Sequence, residues 1–121
     1  MSDTPETPQK RKYQCGIDAA LDVIGGKWRA LILYSLVDGT RRYSQIQKDT
    51  RRYKITPRML TKELRELESS GLLTRKVYPE VPPRVEYTLT EKGRSIMPIL
   101  DLLCEWGCEH LSDSVELAFD E

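Results

Sequence analysis

The sequence predicts an α+β fold that is mainly α: four helices, a two-stranded β-hairpin and one long terminal helix. Three observations carry that reading. Apolar residues recur at i, i+3 and i+4 spacing from Ile17 to Leu67. The period then drops to two over Leu73–Val77 and again over Val85–Leu89. Beyond Thr90 a helical pattern resumes and runs to about Leu111. The chain has 121 residues, the length of one domain.

In the first helix, Ile17, Ala20, Leu21 and Ile24 share one face, and Gly25-Gly26 closes it. A second helix is expected from about Lys27 to Val37, with Trp28, Leu31, Ile32 and Leu36 on its apolar face and Gly39 as C′ residue. A third, short helix spans about Tyr43 to Thr50, with Ser44 as N-cap and Ile46 inward. The fourth has the clearest punctuation. Thr56 is a good N-cap, Pro57 suits the first turn because its missing N–H would be unpaired there, and Ser70-Gly71 ends the helix.

Leu73, Arg75 and Val77 then alternate with Thr74 and Lys76, and Val85, Tyr87 and Leu89 with Arg84, Glu86 and Thr88. The connection Pro79-Glu80-Val81-Pro82-Pro83 is stiff, since proline fixes its own φ and restricts the residue before it. Pro98 should kink the terminal helix or mark its effective start. Ile96, Ile99, Leu100, Leu102, Leu103, Cys104 and Trp106 cover more than one narrow stripe, so that helix needs a partner on two sides, one of them a second subunit. Residues 13–112 form the domain, between a mobile tail at 1–12 and an acidic tail at 113–121.

Composition excludes several function classes. No run of 18 or more apolar residues spans a membrane, and no apolar stretch near the start resembles a signal peptide, so a cytoplasmic protein is expected. Three cysteines do not make a secreted disulfide scaffold. A thiol enzyme needs a base beside the nucleophile, and the single histidine, His110, is a poor candidate, so no enzyme is expected. The zero net charge conceals a split. Residues 27–94 carry 16 basic and 8 acidic side chains, while residues 95–121 carry 7 acidic and no basic ones. Such asymmetry points to a nucleic-acid surface beside a segment that avoids nucleic acid.

Two helices joined by a short turn, the second one basic, followed directly by a hairpin, is the winged helix-turn-helix order. With Leu60, Leu64 and Leu67 inward, the outer side of the fourth helix carries Arg58, Thr61, Lys62 and Arg65. The recognition helix, about 56–70, is expected in the major groove, with Thr56 and Pro57 at its N-terminus near the duplex and arginine suited to guanine edges. Lys76 and Arg84 on the wing, about 72–89, are expected at the flanking backbone or minor groove. Arg41, Arg42 and Ser44 are expected to meet phosphates, setting register. Ion pairing within the surface is the competing reading of these cations, as is a winged-helix module that binds protein.

The chain closely resembles the HxlR-type winged helix-turn-helix transcriptional regulators, relatives of the MarR group. The matching pieces are Cys15, Ile24-Gly25-Gly26-Lys27-Trp28, Arg42-Tyr43, Ile55-Thr56-Pro57-Arg58-Met59-Leu60-Thr61, Leu64-Arg65-Glu66-Leu67-Glu68, Tyr78-Pro79-Glu80-Val81-Pro82-Pro83-Arg84-Val85-Glu86-Tyr87, Thr90-Glu91-Lys92-Gly93 and Trp106-Gly107. The resemblance implies a homodimer on partly palindromic double-stranded promoter DNA, joined through its first and last helices. It also implies oxidant or electrophile sensing at Cys15, near a helix start where the dipole favours thiolate. Cys104 and Cys108, one turn apart, are poorly aimed at each other for a disulfide, and a bridge from Cys15 to either across a dimer is the redox alternative to three small buried side chains. Glu105, Glu109 and His110 stand beside these two cysteines, but without a CxxC pair no metal is expected, nor any cofactor. Trp28 and Trp106 are either core residues or the lining of an effector pocket.

Overall fold

The computed structural model describes residues 12–111 and 113, so the expected tails lie almost wholly outside the described residues. The element order is α1 (Gly16–Ile24), α2 (Arg29–Ser35), β1 (Arg41–Arg42), α3 (Tyr43–Thr50), α4 (Pro57–Ser69), β2 (Leu73–Tyr78), β3 (Arg84–Leu89) and α5 (Glu91–Leu111). This is a mainly helical winged helix-turn-helix, as the sequence predicts.

The core lies where α2, α3, α4 and the sheet converge. Ile32, Leu33, Leu36, Ile46, Leu60, Leu64, Leu67 and Leu73 are almost fully buried, and Leu72, Tyr87, Leu89, Met97 and Leu100 extend this core to α5. Each such side chain contributes roughly 1.5–3 kcal/mol of burial free energy. Arg51–Tyr53 form a 3-10 turn after α3, and Lys54 (φ 63°) reverses the chain into α4. At the start of α4 the Thr56 hydroxyl accepts from Met59 N–H at 3.1 Å, with Pro57 first in the helix. Gly71 (φ 81°) turns the chain into β2.

The wing hairpin is antiparallel, with Leu73 opposite Leu89 and Arg75 opposite Tyr87. Thr90 locks its end to α5: its hydroxyl donates to Gly71 O (2.6 Å) and accepts from Gly93 N–H (3.0 Å). A Cβ on Gly93 would stand 2.0 Å from Leu72 O, so only glycine allows this approach of α5 to the sheet.

Several local expectations are corrected. The expected two-stranded hairpin is present, and a third strand joins it in the order β1-β3-β2. Two residues, Arg41 and Arg42, pair with Tyr87 and Glu86, too short a run for alternation to reveal. Ser44 is not the cap of α3. The helix spans Tyr43–Thr50 as expected, with Arg42 at its N-cap, and the Arg42 N–H donates to Gln45 Oε1 (2.9 Å). α2 is shorter than expected at both ends, and Gly39 (φ 138°) lies beyond its cap Leu36 rather than at C′. Pro98 neither starts nor interrupts α5, which is one helix of 21 residues beginning seven residues before it.

Candidate nucleic-acid interface

α4 is attached through one stripe, Leu60, Leu64 and Leu67. Two of its acids, Glu63 and Glu66, are drawn toward Arg29. Arg29 Nε donates to Glu63 Oε1 at 2.7 Å, and Arg29 Nη2 lies 3.9 Å from Glu66. Arg29 also donates to the carbonyls of Asp22 (3.1 Å) and Val23 (2.9 Å), at the C-terminal end of α1 where carbonyls lack helical partners. Glu66 is therefore oriented toward α2 rather than back to Lys62 one turn earlier. Among the described residues no ion pair engages Arg58, Lys62 or Arg65, and all three are exposed. The pairing that competed with a cationic face is absent from this helix.

Thr61 departs from the expected outer face. It is half-buried, and its hydroxyl sits 3.2 Å from Tyr43 Oη, which also donates to Pro57 O (3.3 Å). Tyr43 thereby fixes the angle between α3 and α4. One hundred degrees per residue explains the placement: Thr61 follows buried Leu60, so it lies at the boundary of the stripe. Thr56 spends its hydroxyl on the cap, although it remains exposed with Pro57.

The other expected cations differ in availability. Arg42 and Ser44 are exposed at the start of α3. Arg41 is half-buried and ion-paired with Asp49. On the wing, strand alternation puts Lys76, Tyr78, Arg84 and Glu86 on one face. Arg84 stacks over Tyr78 (3.9 Å to the ring centroid) with Lys76 also over that ring (4.9 Å). Arg84 further lies 3.2 Å from Glu80, and its Nε is 3.4 Å from Glu86, within ion-pair distance but not aligned as a hydrogen bond. It is a tie within the wing as well as a surface cation. At the hairpin tip Val81 is fully exposed beside Pro82 and Pro83.

The opposite wing face holds Arg75, which sequence reasoning left out of the candidate interface. Its signal was present: Arg75 shares parity with Leu73, so it faces α4. There the Tyr87 phenol is pushed above its ordinary range by burial, with the Arg75 guanidinium beside it pulling the other way and Glu68 adding to the rise.

Away from these cations, α1 and α5 leave Ile17, Leu21, Ile99, Leu102, Leu103 and Trp106 more than half exposed. Cys15 is exposed at the N-cap of α1, and Cys104 is exposed on α5. Desolvation pushes the Cys104 thiol up, and neighbouring Cys108, Asp101 and Glu105 add to it. Cys108 is half-buried. Trp28 packs against the core, whereas Trp106 is exposed and tilted against His110 at 5.2 Å between ring centroids. Among the described residues no group of three or more His, Cys, Asp or Glu is arranged to hold a metal, and no helix is long and apolar enough to cross a membrane.

The model of the HxlR-like helix-turn-helix family matches residues 23–115. An HTH-type transcriptional regulator of Methanothermobacter thermautotrophicus is 62% identical over 96 residues, covering 79% of this chain and 72% of its own. The redox regulator HypR in its oxidized form is 46% identical with a TM-score of 0.71, covering 79% of this chain and 97% of its own. Diamide-treated YodB from Bacillus subtilis is 32% identical with a TM-score of 0.65, over 82% of this chain and 97% of that one. These matches, over the helices and wing described above, show that the chain belongs to the HxlR-like helix-turn-helix family of transcriptional regulators.

Proposed function

We propose that the protein acts as a homodimer that binds partly palindromic promoter DNA sequence-specifically, with α4 in the major groove. The observation that carries this reading is the exposed strip Arg58, Lys62 and Arg65, free of ion pairs among the described residues, with Glu63 and Glu66 turned to Arg29. Arg58, in the first turn of α4, is the base reader, because N-terminal residues of a recognition helix reach base edges. Lys62 and Arg65 track the groove, while Arg42 and Ser44 meet phosphate and set register. Thr56, Pro57 and Thr61 shape the approach of α4. On the wing, Lys76 reaches the flanking backbone or minor groove. Arg41 and Arg84 are weaker contacts, since phosphate must compete with Asp49 for one and with Glu80 and Glu86 for the other.

The exposed apolar residues of α1 and α5 form the dimer interface, at the acidic end and away from the cationic strip. Cys15, exposed at the start of α1, is the sensing thiol. Its oxidation with Cys104 or Cys108 across the dimer would form one disulfide, two thiols giving two electrons and two protons to the oxidant. Redox forms of HypR and the diamide-treated form of YodB make that chemistry relevant to this fold.

The test is fluorescence-anisotropy binding to the intergenic duplex upstream of the chain's own gene, against a scrambled duplex, with and without diamide. Selective, salt-sensitive binding is expected, with an affinity change on oxidation that reductant reverses and Cys15→Ser abolishes. Equal binding to both duplexes would overturn sequence-specific recognition. Indifference to diamide would remove the thiol switch alone.

A further inference from the structure

Between α4 and the wing lies a cleft of about 320 Å³ that no base-reading role explains. Arg65 comes from the α4 wall and Arg75 from β2. Tyr43, Thr61, Val85 and Tyr87 also line it, and Glu68 is its one carboxylate. We infer that this cleft seats one phosphate of the DNA backbone, gripped by Arg65 and Arg75 from opposite walls. The inference rests on the DNA-binding reading, adds Arg75 to it and gives Arg65 a phosphate as its partner.

Four features fit a phosphodiester. Two guanidiniums face one carboxylate, so the cleft has a net positive charge. Guanidinium presents a planar fork that matches phosphate oxygens. Both arginines are exposed, and neither is ion-paired among the described residues, so no bound acid must be displaced. The walls are also held. The register opposite Tyr87 fixes Arg75, and the Tyr43–Thr61 contact fixes the α4 wall. A backbone leaving the major groove beside α4 must pass the wing, and this cleft lies between those two elements. The seat thus sets the depth and tilt of the recognition helix, a positioning role distinct from base reading by Arg58.

The full-length chain is titrated onto operator and scrambled duplexes between about 50 and 200 mM salt, the range over which phosphate contacts dominate affinity. Arg75→Gln should bind both duplexes roughly tenfold more weakly, as loss of a charged hydrogen bond implies. Its slope of log K against log salt should shrink by about 0.9, one phosphate's worth. Arg75→Lys should recover the slope. In a duplex series with single methylphosphonate replacements, one position should weaken the native chain most, Arg75→Gln and Arg65→Gln should each show a smaller penalty at that same position, and the double variant should show none. Should Arg75→Gln melt early, Arg65→Gln carries the test, because that side chain is exposed on a helix held by leucines. Native slope and native methylphosphonate penalties in the variants would overturn the seat while leaving DNA binding intact. Absence of any salt-sensitive DNA binding by the native chain would overturn both.

Discussion

Helices α4 and α5 are both amphipathic, and they end in opposite conditions. α4 buries its three stripe leucines within its own domain and leaves a hydrophilic, cationic outer face. α5 is 21 residues long yet buries only Gly93, Met97 and Leu100, leaving Ile99, Leu102, Leu103 and Trp106 in solvent. The domain core satisfies one helix completely and the other in part. What remains uncovered differs in chemistry: bare guanidinium and ammonium on α4, apolar surface with acids on α5. The first suits a polyanion and the second suits a copy of itself. Contiguous apolar surface rarely stays exposed on a monomer, whereas exposed cations are ordinary unless their acids have been led away. Arg29 leads Glu63 and Glu66 away here.

The largest expected effect comes from α5. Leu103→Asp puts a charge on the exposed apolar face without touching the buried core. In sedimentation it should shift the protein from dimer to monomer. Operator affinity should fall by about a hundredfold or more, because two linked half-site contacts become one. A dimer that survives this change would move the interface off α5. The matching change on α4 is smaller and more selective. Arg58→Ala should cost about 1–3 kcal/mol on the operator and much less on scrambled duplex if it reads a base edge. Equal losses on both would make Arg58 another phosphate contact.

Arg29 sharpens the comparison from behind, since it need not touch DNA. Arg29→Ala removes the 2.7 Å contact to Glu63 and the more distant one to Glu66. Loss of a charged, half-buried hydrogen bond should lower stability by about 1.5–3 kcal/mol in urea titrations. Glu66 then becomes available to Lys62 one turn earlier, an i, i+4 pair. Affinity for scrambled duplex should fall a few-fold, with a smaller salt slope. An unchanged slope would mean that the strip is cationic without help from Arg29.

Much of this was legible in the sequence, for identifiable reasons. Thr56-Pro57 and Ser70-Gly71 mark α4 by local chemistry that needs no tertiary context. The period change at Leu73 marks the wing, and the overfull apolar pattern of α5 marks an incomplete burial. Three features were hidden. β1 is two residues long and exists only because β3 offers an edge. The attachment of Glu63, and more distantly Glu66, to Arg29 spans 34 residues from Arg29 to Glu63, and no periodicity encodes that distance. The partial withdrawal of Arg41 and Arg84 into ion pairs depends on which carboxylates the folded chain brings near. Sequence patterns predict which faces are buried. They are silent on how exposed charges choose partners.

The smallest prediction concerns how α5 is attached. Beside its few core residues it has a polar tie: Tyr34 Oη on α2 donates to Asp101 Oδ1 at 2.8 Å. Burial, then that hydrogen bond and the charge of Asp101, push the Tyr34 phenol up to about 12 from an ordinary 10.0. The folded chain therefore keeps a proton that the unfolded chain releases above pH 10. The tie's stabilisation is whole below pH 10 and drains away as the pH rises from 10 through about 12. Tyr34→Phe lacks both the hydrogen bond and the titration. Its melting temperature should lie below the native value well under pH 10, and the gap should narrow across that window. No gap at any pH would mean that Tyr34 contributes packing alone, which phenylalanine keeps, leaving α5 joined to α2 by apolar contact, as α4 is joined to the core.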